Sequence, residues 1–143
     1  MSENSGVERF SLDQAAAIAA AAHRRAAEIG IRVSVAVVDD GGHLVYLGRM
    51  DNAPPLTAEI AEAKASGAAA LGRPGDAVAE IYEKRPGFFE VVAEMTRRPL
   101  VPGLGSVLIK CGERIMGAVG VSGGRPEQDL DCAEDGLKAI GGT

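Results

Sequence analysis

The chain has 143 residues, 46% of them hydrophobic but only 3% aromatic, with no tryptophan and a formal net charge of −5. That length and apolar content fit one domain with one core and exclude a disordered chain. The acidic balance, without any basic run, argues against nucleic acid as a partner, and no apolar stretch approaches the roughly 20 residues that span a bilayer.

Residues 1–10, MSENSGVERF, read as a flexible N-terminus ahead of a single domain over 11–143. This opening lacks the basic region and apolar run of a secretory signal. Cys111 and Cys132 make neither a CxxC pair nor a zinc spacing. The expectation is a cytoplasmic protein with reduced thiols and no metal site. Ser11-Leu12-Asp13-Gln14 fits a capping box, so a helix should run to about Ile29 and stop at Gly30. On it Leu12, Ala15, Ile18, Ala22, Ala26 and Ile29 share one face. Val33–Val38 is β-branched and apolar, a strand buried on both faces. Asp39-Asp40-Gly41-Gly42 supplies the positive-φ residues of a hairpin turn, and His43–Arg49 is the returning strand.

Pro54 and Pro55 keep the next stretch a loop, after which Thr57 is placed to cap a helix over Ala58–Leu71. A shorter helix should follow from Pro74 or Asp76 to about Lys84, and Phe88, Val91, Val92 and Met95 have the spacing of a third, ending near Arg97. Residues 100–105 form a turn or short edge segment. Two strands then turn at Cys111-Gly112-Glu113, and a last helix starts at Pro126, with Leu130, Ala133, Leu137 and Ile140 as its buried stripe. The order is helix, hairpin, helices, hairpin, helix. Sequential hairpins imply an antiparallel sheet, hence an α+β fold of four to five strands with helices on at least one face.

Lys64 stands out because it leaves its helix on the side of Ile60, Gly67 and Leu71, opposite Glu59, Glu62 and Ser66. It can snorkel, pair with a carboxylate at a subunit contact, or hold a ligand carboxylate from within a pocket, where a depressed pKa would also suit acid–base work. Arg49 and Asp51 flank Met50 in the loop leading to the same helix and can face the same space. His23 lies at the edge of the first helix's apolar face and His43 beside the hairpin turn; each is a candidate haem axial ligand, without a paired metal spacing. Ser122, Gly123 and Gly124, just before a helix, present N–H groups suited to an anion. Gly103 and Gly105 can bring a loop close to a ligand. Neither loop matches the Walker or GxGxxG pattern.

Three segments carry a resemblance: VSVAVVDDGGHLVYLGRMDNAP, AEAKASGAAALGRP and VPGLGSVLIKCGERIMGAVGVSGGRPEQD. In this order and spacing they resemble the GlcG/HbpS-like family, small domains often called haem-binding that also form the C-terminal part of PduO-type proteins. The match runs from Ser11 to Ile140. It implies a profilin-like fold, homo-oligomers (often dimers that build larger rings), and haem, corrinoid or small organic-acid settings. Arg49, Asp51, Lys64, the Gly103–Gly105 loop and the Ser122–Gly124 loop belong to the family pattern. Where many relatives read PGGxP or PGGxL, this chain has Pro102-Gly103-Leu104-Gly105-Ser106, and Leu104 narrows any pocket there.

Two functions follow as expectations. The first is a small-ligand-binding protein for haem or a related tetrapyrrole, with His23 or His43 on the iron and Lys64, Arg49 or Arg125 on the propionates. The alternative is a cofactor-free enzyme, a tautomerase or enamine/imine hydrolase acting on a small carboxylate from aromatic or organic-acid catabolism. There Lys64 and Asp51 would do the proton transfers and Arg49 would hold the carboxylate. In both, the partners are an anionic small molecule and further copies of the chain.

Overall fold

The computed structural model describes residues 9–96 and 98–141; the remainder of the expected flexible N-terminus, residues 1–8, lies outside the described residues. The elements are α1 (Leu12–Glu28), β1 (Ser34–Asp39), β2 (Leu44–Arg49), α2 (Leu56–Leu71), α3 (Gly75–Lys84), α4 (Pro86–Met95), β3 (Ser106–Cys111), β4 (Arg114–Ser122) and α5 (Pro126–Lys138). The four strands form one antiparallel sheet in the order β2-β1-β4-β3. The α+β class is therefore as expected, with four strands.

Alternation along the central strands assigns one face of the sheet to each helical layer. Val35, Val37, Val119 and Val121 pack under α1 and α5, together with Ile18, Ala22, Cys132 and Leu137. Ala36, Val38 and Ala118 pack under α2, against Ala61, Ala65 and Ala68. The second layer is almost all alanine, and its closeness is set at Gly120. A Cβ there would lie 2.2 Å from the Ala61 carbonyl oxygen. Small side chains on both sides let α2 lie flat on β4. That closeness stands in for the aromatic bulk the composition lacks.

Several boundaries differ from expectation. Phe10 belongs to the core rather than to a flexible end, 8% exposed among the α1-side residues. Leu12, by contrast, is 60% exposed in the first turn of α1, although its spacing puts it on the face it shares with Ala15 and Ile18. The cap of α1 forms as expected: Ser11 Oγ accepts from the Gln14 N–H at 3.0 Å, and Gln14 Oε1 accepts from the Ser11 N–H at 2.7 Å. Thr57 is not an N-cap. Helix α2 starts two residues earlier than expected, at Leu56, and the Thr57 hydroxyl is drawn down to Ser34 Oγ at 2.9 Å and to the Pro54 carbonyl at 2.6 Å. Pro86 starts α4 rather than only ending α3, since a proline at the first helical position forfeits no hydrogen bond.

Candidate functional site

The groups singled out around Lys64 converge, and they converge on a residue of the chain itself. Lys64 Nζ donates to Asp129 Oδ2 at 3.1 Å and to the Val121 carbonyl at 2.9 Å. The other carboxylate oxygen, Asp129 Oδ1, accepts the Gly124 N–H at 2.8 Å, and the Gly123 N–H also faces this carboxylate. The Lys64 and Asp129 side chains are 9% and 4% exposed. The sheet explains why the ammonium reaches this point. Val121 N–H donates to the Gly105 carbonyl, so the Val121 carbonyl points to the same side, where β3 has already ended. Lys64 takes the place of the missing strand. Gly105, at φ +112°, makes room: a Cβ there would sit 2.9 Å from Lys64 Nζ and 2.9 Å from Asp129 Cβ.

The anion held by Lys64 and the Gly123–Gly124 loop is thus the side chain of Asp129. Burial pushes the Asp129 carboxyl above its ordinary pKa, opposed by the Lys64 charge and by the Gly124 and Gly123 N–H groups. Lys64 ties α2, on one face of the sheet, to α5, on the other, around the end of β3. Asp129 was missed as a partner because it reads as one of several acids suited to a helix N-terminus. A signal was nevertheless present: Asp129 lies four residues before Ala133 and so falls on the buried stripe of α5.

Arg49 and Asp51 are exposed and lie elsewhere. Arg49 ends β2, opposite Ser34, and its guanidinium reaches the Ala53 carbonyl at 3.4 Å. Asp51 sits in the following loop. Of the two histidines, His23 is half-buried between α1 and the edge strand, with Nε2 3.0 Å from the Gly48 carbonyl. In that bond Nε2 is the protonated nitrogen. His43 is exposed, and its Nδ1 lies 3.3 Å from Asp39 Oδ1, which also accepts the Gly41 and His43 N–H groups.

His43 lines an open cavity of about 260 Å³ between the β1–β2 turn, the outer side of α2 and the segment after α4. Arg98, Ser66, Gly67 and Leu100 also stand in its wall. Ser66, expected on the outer side of its helix, is buried because this segment crosses over it. Leu100 seats on Gly67, where a Cβ would meet Leu100 Cδ1 at 2.7 Å. The lining includes none of Arg49, Asp51 or Lys64. Arg98 carried no motif, and only the course of residues 98–100 beside α2 brings it to the cavity that His43 lines.

An antiparallel sheet between an α1/α5 layer and an alanine-rich α2 layer defines a small three-layer α+β domain. The chain belongs to the HbpS-like family, whose model, described as "Haem degrading protein HbpS-like", matches residues 10–138. It is 39% identical over 118 residues to Protein GlcG of Escherichia coli strain K12, covering 79% of this chain and 81% of that protein. Among solved structures it is similar to the PduOC:heme complex, at 26% identity and a TM-score of 0.83 over 94% of this chain and 96% of that one. It is likewise similar to HbpS, at 26% identity and a TM-score of 0.85 over 97% and 95%. No helix among the described residues is long and apolar enough to cross a membrane.

Proposed function

We propose that the chain binds haem or a related tetrapyrrole at the 260 Å³ cavity, with His43 as the axial ligand. The observation that carries this reading is the His43–Asp39 pair. An imidazole that ligates a metal ordinarily gives its other ring N–H to a carboxylate, which fixes the tautomer and raises ligand basicity. Asp39 Oδ1 lies 3.3 Å from His43 Nδ1, close enough for a small turn of the ring to bring the two into a hydrogen bond that is not made here, and Nε2 has no hydrogen-bond partner among the described residues. His23 is less well prepared, since its Nε2 is occupied by the Gly48 carbonyl.

The donor set fits the group at one edge. Cavities that enclose a drug-sized ligand run to roughly 300–1,000 Å³, so 260 Å³ takes in part of a macrocycle and leaves the rest outside. Haem would supply the iron that His43 holds and a broad apolar plane for Leu100 and Gly67 to meet. A family that includes a structure solved with haem supports the same reading. Self-association is part of it: β2 is an edge strand that exposes Leu44 (42%) and Leu47 (38%), an apolar border a second copy can cover. The cofactor-free enzyme with Lys64 and Asp51 as acid and base draws no support from the enclosure of Lys64 by Asp129.

Titration with haemin tests this. The wild-type chain is expected to shift the Soret band at a one-to-one ratio. His43→Ala should abolish the shift, Asp39→Asn should weaken binding about 10- to 100-fold, and His23→Ala should leave it intact. No shift with the wild-type chain, or the same shift with His43→Ala, removes the reading. Loss confined to His23→Ala moves the axial ligand to α1.

A further inference from the structure

The residue that selects the ligand's charge is neither Arg49 nor Lys64. We infer that Arg98 is a carboxylate anchor, so that the cavity takes a molecule with an apolar body and at least one carboxylate arm. The inference rests on the reading of this cavity as the ligand site, and it extends that reading to the chemical class of ligand.

Three features of Arg98 set it apart from the other cations. It lines both the 260 Å³ cavity and a smaller hollow of about 190 Å³, so the one residue borders both spaces. It is half-buried. Its observed partner is neutral: Nη1 donates to the Gly42 carbonyl, and no carboxylate lies within 4.0 Å of it among the described residues. A guanidinium has five N–H donors in a fixed fork. One hydrogen bond to a backbone carbonyl holds the group in place and leaves donors over for a bidentate carboxylate.

The neighbouring acids are accounted for. Asp39 is engaged by His43 and by the Gly41 and His43 N–H groups. Glu59 and Glu62 line the smaller hollow and make no ion pair with Arg98. They lower the net positive potential there but leave the guanidinium as the one cation of formal charge +1, among the described residues, that lines the larger cavity, where His43 is neutral when it acts as a ligand. The apolar part of the wall comes from Ala70, Pro99 and Leu100. Arg49, in contrast, is exposed at the other end of β2 and lines neither hollow.

One ligand chemistry, a carboxylate on an apolar frame, can come from a porphyrin propionate or from a free aromatic acid. Three probes separate them: haemin, haemin dimethyl ester and benzoate, each titrated against the wild-type chain, R98Q, R98K and R49Q. Thermal melts confirm that each variant is folded. The expected result is a loss of about 10- to 100-fold for haemin and benzoate in R98Q, the range of a charge-assisted hydrogen bond. R98K should show a smaller loss, since it keeps the charge without the fork. The dimethyl ester should bind wild type and R98Q alike, and R49Q should behave as wild type throughout. Benzoate binding that depends on Arg98, with no haemin binding at all, upholds the anchor while the tetrapyrrole reading falls. Equal affinities of wild type and R98Q for haemin and benzoate, equal losses for acid and ester, or no binding of either acid overturn the inference.

Discussion

At the end of β3 a cation, a carboxylate and two glycine N–H groups close on one another. At the β1–β2 turn the same kinds of group stay apart. Lys64 and Asp129 are 9% and 4% exposed, and the ammonium and both carboxylate oxygens each have a hydrogen-bond partner within the chain. His43 and Arg98 face an open cavity, the first beside the Asp39 carboxylate and the second held by one bond to the Gly42 carbonyl, each with ring or fork nitrogens to spare. The difference lies in where the partners come from. In the first region α2, the β3 entry and α5 bring them from three elements fixed by the core. In the second a hairpin turn and a segment outside the sheet bring them, and no core residue forces them together. Chemistry that resembles a binding site is consumed by architecture where the layers meet, and stays available where a loop crosses a helix.

The largest expected effect tests the closed region. Asp129→Leu leaves the Lys64 ammonium buried without its counter-charge, which costs about 3–5 kcal/mol. Chemical denaturation of the variant should show that loss. Lys64→Met combined with Asp129→Leu should recover most of it, because the two desolvation penalties vanish with the two charges. Asp39→Asn is the matched change in the open region. The His43 side chain is 71% exposed, so its stability effect should stay within about 1 kcal/mol. Equal losses in the two regions would dissolve the contrast.

Two glycines carry the same comparison at smaller scale. Gly105 and Gly42 have φ of +112° and +80°, so alanine is strained at both. At Gly105 the new Cβ also meets the Val121 carbonyl oxygen at 2.7 Å, whereas at Gly42 its closest neighbour is Arg98 Nη1 at 3.5 Å. Gly105→Ala should cost about 2–3 kcal/mol and Gly42→Ala about 1 kcal/mol. Both are measured as midpoint shifts in denaturant. A reversal of that order would mean that the β1–β2 turn, not the Lys64 junction, is the more tightly packed.

What the sequence made legible follows the same division. Periodicity and turn chemistry act over a few residues, so the capping box at Ser11, the hairpin at Gly41-Gly42 and the Pro126 helix start could all be read directly. The odd position of Lys64 on its helix was legible as well. Its partner was not, because Lys64 and Asp129 are 65 residues apart and only the sheet order brings them together. The 98–100 segment was less legible still. It has no period, and its path over Ser66 and Gly67 depends on where α3 and α4 leave it. Arg98 therefore looked like any charge in a loop, and Arg49, next to a strand end, attracted the role instead. Thr57 misled for a related reason: a hydroxyl before an apolar helix suits a cap, but Ser34 beneath it offered a buried partner.

At neutral pH the smallest expected effect concerns the two thiols. Cys132 is fully buried under α1, and burial, together with the charges of Asp131 and Asp129, pushes its thiol up to about 11. Cys111, in contrast, is only half-buried near the β3–β4 turn. A thiol whose folded pKa is raised contributes stability that is fully present below its unfolded pKa near 8.5–9 and lost as pH rises through the folded value. The unfolded chain ionises first, and the folded state gives way over that window by about 2–3 kcal/mol. Cys132→Ala should cost about 1 kcal/mol at pH 7 through lost packing. It should also flatten the decline in stability between pH 9 and 11 relative to the wild-type chain. Cys111→Ala should leave that decline unchanged. Iodoacetamide at pH 8 offers the kinetic counterpart: Cys111 should be alkylated in the native protein, and Cys132 only once the α1–α5 layer opens. Rapid native alkylation of Cys132 would show that this layer, the other face of the closed region, is looser than its packing implies.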